Sequence, residues 1–289
     1  MSEQFRSVHA ANRWAEVGGR RLAYRSIGSG KPILLCARCR GSMDSWDPAF
    51  LDALAANGLR VLTFDYSGSG YSSGAPARDP FDLARDARDL MEALDLRDAV
   101  IGGWSLGGLA AQAVLARYPE RISHAVLIAT APPGPLVKTG EQRFFDTVAL
   151  PEHTLEDEAL LYFAPRSAAS RAAHLRSRGR LALRASGRSP EAPASLAAAL
   201  LGAAPRNPAF ADEAVLAALK RTGLPLLHIG ADQDAAFPVE NWYALSGHLP
   251  TLQLLTFPSA GHGPHHQYPE AAASYIATFA RSAAPAPPA

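Results

Sequence analysis

Cysteine is nearly absent: the 289 residues contain two, Cys36 and Cys39. A disulfide framework is therefore excluded as the source of stability, and a chain of this length buries a sufficient apolar core without one. The pair has C-x-x-C spacing (CARC), which elsewhere signals a redox couple or half of a zinc site. No βαβ redox context surrounds it, and the other clustered donors lie far away in GHGPHH. Cys36 is expected to end a buried strand and Cys39 to sit in the next loop, with no metal and no cofactor. An excess of one charge is also lacking. With 28 basic and 27 acidic residues the net charge is +1, which gives no global attraction to nucleic acid or membrane. No apolar run approaches membrane-spanning length, and MSEQFRSVHAANRW carries no apolar leader segment. The cytoplasm is the expected location. Residues 283–289, Ala- and Pro-rich, read as a disordered tail.

What is present is an alternation of short apolar runs with amphipathic stretches. Strands are expected at Arg21 to Ile27, Ile33 to Cys36, Arg60 to Phe64, Ala99 to Gly103 and His124 to Ala129. Between them, Asp47 to Asn57 reads as a helix stopped by Gly58. Asp79 opens another with Pro80 at its first position, and Leu106 to Tyr118 is a third. From about Gly134 to Pro208 no strand signal appears, and the segment reads as helix and turn. Strand signals resume at Leu224 to Ile229 and Leu252 to Phe257, followed by a helix from about Pro269 to Arg281. The expected fold is α/β: a mostly parallel central sheet with helices on both faces. Its core spans residues 1–133 and 209–282, and a helical insertion at 134–208 occupies the position of a cap or lid.

The chemistry starts at GGWSLGG, residues 102–108. A G-x-S-x-G between a strand and a helix holds its serine on a strained turn, with the helix N-terminus offering free N–H groups to a developing oxyanion. Ser105 is thus a candidate nucleophile. A serine hydroxyl needs a base, and the base needs a group to orient it. Downstream, GADQDAAFP offers two competing carboxylates, Asp232 and Asp234, and SAGHGPHHQYPE offers His262, His265 and His266.

These segments resemble the α/β-hydrolase family. In that family the acid commonly stands four residues before a proline, which selects Asp234 ahead of Pro238, with Asp232 as the fallback. The "aGHg…e.Pe" pattern selects His262, leaving His265 and His266 as pocket lining or surface. DYSGSGYSS (65–73) is similar to the family's structural "DxxGxGxS" turn, and GWSLGG is similar to the elbow of the pimeloyl-carrier-protein methyl esterases. The resemblance implies a Ser105–Asp234–His262 triad with the Leu106 N–H as one oxyanion donor. The chain departs from the family where His-Gly normally follows the third strand. Here the stretch reads CARCRGS, placing the Cys39 N–H at the second donor position and the cations Arg38 and Arg40 near the pocket mouth. Those arginines either point outward or meet a substrate carboxylate; Arg38 and Trp104 are the substrate-binding candidates.

The insertion has no acidic residue between Glu158 and Glu191, and Arg176, Arg180 and Arg184 repeat at i, i+4. This is expected to be a solvated basic face or, more sharply, an attractor for an anionic substrate or an acyl-carrier protein. The expected activity is hydrolysis of a small-molecule carboxylic ester or lactone, without nucleic acid or membrane partners. Alternatives on the same residues are a cofactor-free perhydrolase, a carbon–carbon bond hydrolase, or a non-catalytic ligand-binding homologue.

Overall fold

The computed structural model describes residues 5–282; the tail expected at 283–289 lies outside them. Eight strands form one sheet: β1 (Arg13–Val17), β2 (Arg20–Ile27), β3 (Lys31–Cys36), β4 (Leu59–Phe64), β5 (Ala99–Trp104), β6 (Ile122–Ile128), β7 (Leu226–Ala231) and β8 (Leu252–Phe257). Their spatial order is β1-β2-β4-β3-β5-β6-β7-β8. Pairing is antiparallel for β1–β2 and β2–β4, and parallel from β4 to β8. Purely apolar runs such as ILLC and AVIGG lie in the middle because both faces of a parallel sheet are covered. Strand β1 has no counterpart in the sequence reading. It is an edge hairpin strand whose residues are mostly exposed, so it carries no apolar run to announce it.

Helices α1 (Pro48–Ala56), α2 (Pro80–Ala93) and α3 (Leu106–Arg117) connect the first strands. Asp47 and Asp79 cap α1 and α2 by accepting backbone N–H bonds, each with proline following at the first turn. Four helices lie between β6 and β7: α4 (Gln142–Val148), α5 (Leu155–Tyr162), α6 (Ala168–Leu181) and α7 (Ala194–Leu201). A fifth, α8 (Glu213–Arg221), leads into β7. Among the described residues, 134–208 contains no strand. The chain closes with α9 (Glu240–Tyr243), α10 (Pro264–Gln267) and α11 (Pro269–Ala280). One core face of the sheet packs under α2, α3 and α8, the other under α1 and α11. No helix among the described residues is long and apolar enough to cross a membrane.

Chain order reverses at the centre of the sheet. After β4 is laid on one side of β3, β5 is laid on the other, and such a reversal opens a crevice at the carboxyl ends of the two strands. Cys36 pairs with Gly103 there. The CARCRGS loop and the serine turn therefore leave the sheet side by side.

The arginines at i, i+4 spacing do not share one helix face: Arg176 and Arg180 lie on α6, but the helix ends at Leu181 and Arg184 follows it. Arg176 is exposed, but Arg180 is turned onto the core, bonding Asp47 through both carboxylate oxygens at 2.7 and 2.7 Å. Arg184 reaches Asp44 at 3.5 Å and donates to the carbonyls of Val8 and Ala10. Asp44 in turn binds Arg25 at 2.8 Å. Asp47, which caps α1, and Asp44, which precedes it, decide where Arg180 and Arg184 go. Asp47 is fully buried, and a buried carboxylate stripped of its cation costs about 3 kcal/mol or more. Arg180→Met is accordingly expected to lower the urea unfolding midpoint sharply, while Arg176→Met leaves it within experimental scatter.

Candidate active site

Ser105 occupies the single residue between β5 and α3, at φ 59° and ψ −121°. A non-glycine residue held there costs on the order of 1–3 kcal/mol and persists only where its surroundings enforce it. They do so through the backbone. The Ser105 N–H donates to the Ile128 carbonyl at 2.9 Å. Its own carbonyl accepts from the Gly108 N–H at 2.9 Å and from the Thr130 hydroxyl at 2.7 Å. The glycines beside it are dictated by close approach rather than flexibility. A Cβ on Gly107 would stand 2.0 Å from the Cys36 carbonyl oxygen, and one on Gly103 2.0 Å from that of Gly107. Thr130 was missed by sequence reasoning, and no pattern in the sequence marks it.

Of the two competing carboxylates, the structure brings Asp234 to His262. The loop after β7 buries Asp234, while Asp232 is exposed and accepts only the Ala260 N–H at 3.3 Å. Asp234 Oδ1 accepts the N–H groups of Ala236 and Phe237 at 2.8 and 3.0 Å. Both its oxygens lie 3.0 Å from His262 Nδ1. This arrangement suits an imidazole carrying its proton on Nδ1 and leaves Nε2 free to accept one. Nε2 is buried and bonded to no described residue, Ser105 included. The backbone of the histidine loop is clamped from above. The Gly263 N–H donates to the Tyr162 carbonyl at 2.6 Å, and a Cβ on Gly261 would strike the Phe163 backbone at 2.2 Å.

Trp104 pins the same loop, donating its indole N–H to the His262 carbonyl at 2.7 Å. It is buried in a cluster with Trp46, His265 and His266. His265 and His266 are thus buried rather than surface, and His266 also lines the polar cavity behind Trp104 and Tyr162. Burial pushes His266 down to about 4 and His265 well below its ordinary value, so both are neutral at pH 7.

The loop opposite the serine turns its arginines inward, not outward. The Arg38 guanidinium lies over the rings of Tyr162 and Trp104, at 4.6 and 5.5 Å from their centroids. It donates to the Cys39 carbonyl at 2.8 Å and to Glu191 at 3.1 Å. Arg40, at φ 57°, sends its guanidinium to the carbonyls of Val148, Leu150 and Pro151 just past α4, at 3.2, 2.6 and 3.0 Å. The missing His-Gly is thus replaced by two cations that tie the loop to the helical segment above it. Among the described residues neither the Leu106 nor the Cys39 N–H donates to a backbone carbonyl. The Leu106 amide is one of the first-turn donors for which a helix has no internal partner. Burial pushes both thiols, Cys36 and Cys39, up to about 12. They are unpaired, and at that value they are protonated and poor nucleophiles at neutral pH.

Ser105 is 1% exposed and His262 2%. Two cavities flank them without being lined by either residue. One, of about 280 Å³, is walled by apolar side chains including Leu109 and Phe237. The other, of about 290 Å³, is polar and lies behind Arg38, Trp104 and Tyr162.

Comparison with known proteins agrees with this architecture. The profile of a family described as alpha/beta hydrolase fold matches residues 31–269. A Mycobacterium tuberculosis protein provisionally named a non-heme bromoperoxidase, BpoC, is 36% identical over 109 residues, 38% of this chain and 42% of that one. The chain spans less than half the length of such curated relatives. Among solved structures, an alpha/beta hydrolase fold protein from Chitinophaga pinensis superposes with a TM-score of 0.81 at 27% identity, covering 96% of this chain and 99% of the other. A thermophilic esterase from Thermogutta terrifontis gives a TM-score of 0.70 at 23% identity, covering 94% and 98%.

Two outcomes follow from this geometry. Thr130→Val keeps the shape against Gly108 but removes the bond to the Ser105 carbonyl. It is expected to cost about 1 kcal/mol of stability and, by loosening the turn, about tenfold in any turnover that depends on Ser105; denaturant melts and kinetics on one preparation read both. The second concerns acid. His228 is also buried, stacked on Trp242, and burial pushes it down to about 3. His228, His265 and His266 stay neutral in the fold but take up protons near 6.5 once unfolded. The unfolded state therefore binds more protons, and stability falls as pH drops from about 6.5 toward 4. Urea midpoints should decline across that window, and His228→Phe should recover about 2 kcal/mol of the loss at pH 5.

Proposed function

The chain belongs to the α/β hydrolase fold family and is an enzyme, and we propose that it cleaves a carboxylic ester or lactone through a covalent acyl–Ser105 intermediate. The observation that carries this reading is the buried Asp234–His262 pair, with both carboxylate oxygens on Nδ1, at the loop ends beside a strained Ser105. Ser105 Oγ attacks the carbonyl carbon while His262 Nε2 takes its proton. Asp234 holds the ring in that tautomer and stabilises the imidazolium. The N–H groups of Leu106 and Cys39 receive the charge that develops on the carbonyl oxygen, where donors fixed in a dry site act most strongly. His262 then gives its proton to the leaving alcohol. A water, deprotonated by the same nitrogen, attacks the acyl carbon, and the acid leaves as Ser105 regains its proton. The helical segment 134–208 acts as a cap, because Phe144 lies 5.2 Å from the His262 ring and excludes water above it.

A second reading is favoured by the relative named a bromoperoxidase. Hydrogen peroxide would replace water at the acyl-enzyme, its oxygen bonding the acyl carbon as Ser105 Oγ departs and recovers the proton from His262. The product is then a peroxy acid, and the residues are unchanged.

Turnover of a short-chain aryl ester, together with fluorophosphonate labelling, tests the main reading. Wild type is expected to label at Ser105, and Ser105→Ala to lose labelling and about 10⁴-fold or more in turnover. Asp234→Asn should lose about 10⁴-fold, whereas Asp232→Asn stays near wild type. A wild type that neither labels nor turns over ester overturns the proposal. Peroxy acid accumulating faster than carboxylic acid in millimolar peroxide decides for the second reading.

A further inference from the structure

We propose that the apolar cavity beside Ser105 and His262 receives the hydrophobic arm of the substrate, making this an enzyme for esters with a medium-length alkyl or aryl group. The proposal rests on the serine-hydrolase reading and adds the chemical class of its substrate.

The cavity's inner wall is made of the candidate triad's own neighbours. Leu109, in the first turn of α3, lies four residues after Ser105. Phe237 gives its N–H to Asp234, and its ring centre is 5.7 Å from that of His262. Phe145 packs on Phe144, whose ring centre is 5.2 Å from that of His262. A single layer of side chains therefore separates the cavity from the reacting atoms. At the outer end Arg78, Asp79 and Arg206 are exposed. The cavity thus runs from a charged rim to the nucleophile's surroundings, and its walls turn apolar on the way.

The space measures about 280 Å³ and is open at its charged rim. A dry cavity of about 150 Å³ accommodates benzene, so this one takes roughly ten carbon atoms.

The polar cavity on the other flank is less suited to open toward Ser105. Its near wall is held by directional bonds: the Trp104 indole to the His262 carbonyl, and Arg38 to the Cys39 carbonyl and Glu191. Opening it breaks these bonds, of which the Trp104–His262 bond is buried, and disturbs the histidine loop. The near wall on the apolar side is held by side-chain packing, which rotamer changes can part without leaving a donor unsatisfied. Leu200 of α7 lines this cavity and also the small void at Leu106 and Arg38.

Two ester series test the proposal: p-nitrophenyl esters with acyl chains from acetate to dodecanoate, and acetates of alcohols of the same lengths. In one series kcat/KM is expected to rise about fourfold per methylene up to eight to ten carbons and then fall. The series that rises identifies the acyl or the alcohol side as the buried arm. Ala209→Trp, which fills the middle of the cavity from a partly buried wall position, should lower the long-to-short ratio tenfold or more. Leu136→Phe serves as the second filling variant should the first fail to fold, and fluorophosphonate labelling of Ser105 is followed in every sample. Labelling with activity highest on acetate in both series overturns the cavity assignment and leaves the serine-hydrolase reading standing. A ratio that neither filling variant changes does the same. Absence of labelling overturns both.

Discussion

The rest of this structure depends on a backbone contact that leaves no room for a side chain. At the centre of the sheet the first turn of α3 presses against the end of β3, and a Cβ on Gly107 would lie 2.0 Å from the Cys36 carbonyl oxygen. That closeness puts the first amide of α3 beside the CARCRGS loop and forces the intervening Ser105 into its left-handed conformation. The bonds from Ile128, Gly108 and Thr130 make the strain persistent. Two strands laid on opposite sides of β3 bring the loops together, and two glycines let them touch.

Everything above the sheet is fastened to that point by polar contacts that a surface reading of the sequence misassigns. Arg38 and Arg40 join the loop opposite the serine to α5 and to the end of α4. Arg180 on α6 and Arg184 just after it reach Asp47 and Asp44. In the chain these residues look like cations near a pocket mouth and a basic helix face. In the fold they are the pins between the helical segment and the core, because each finds carbonyls or a buried carboxylate within reach. Net charge near zero leaves little long-range field, so the arginines act through contact rather than attraction at a distance.

The site is dry in its resting arrangement. Ser105 and His262 are almost without solvent contact, and neighbouring histidines are held neutral by burial. Low dielectric surroundings strengthen the Asp234–His262 interaction and any amide–oxyanion contact alike. The same closure means that access requires side chains to move. The weakest barrier is the apolar one, where no hydrogen bond resists the motion.

By itself the sequence determined the strand–turn–helix around Ser105, the α/β alternation and the strandless stretch from 134 to 208. These are local signals: periodicity, caps and glycines at fixed offsets survive in one dimension. It did not reveal β1, whose exposed residues make no apolar pattern, and residue chemistry alone left Asp232 and Asp234 level until the family resemblance favoured Asp234. The tertiary structure decided between them by burying one carboxylate against His262 and leaving the other in water. It also decided that Thr130 bonds the Ser105 carbonyl, that His265 and His266 are buried, and that the arginines are pins. Each of these depends on which distant residue lies opposite, and partners so far apart in the chain leave no periodic trace.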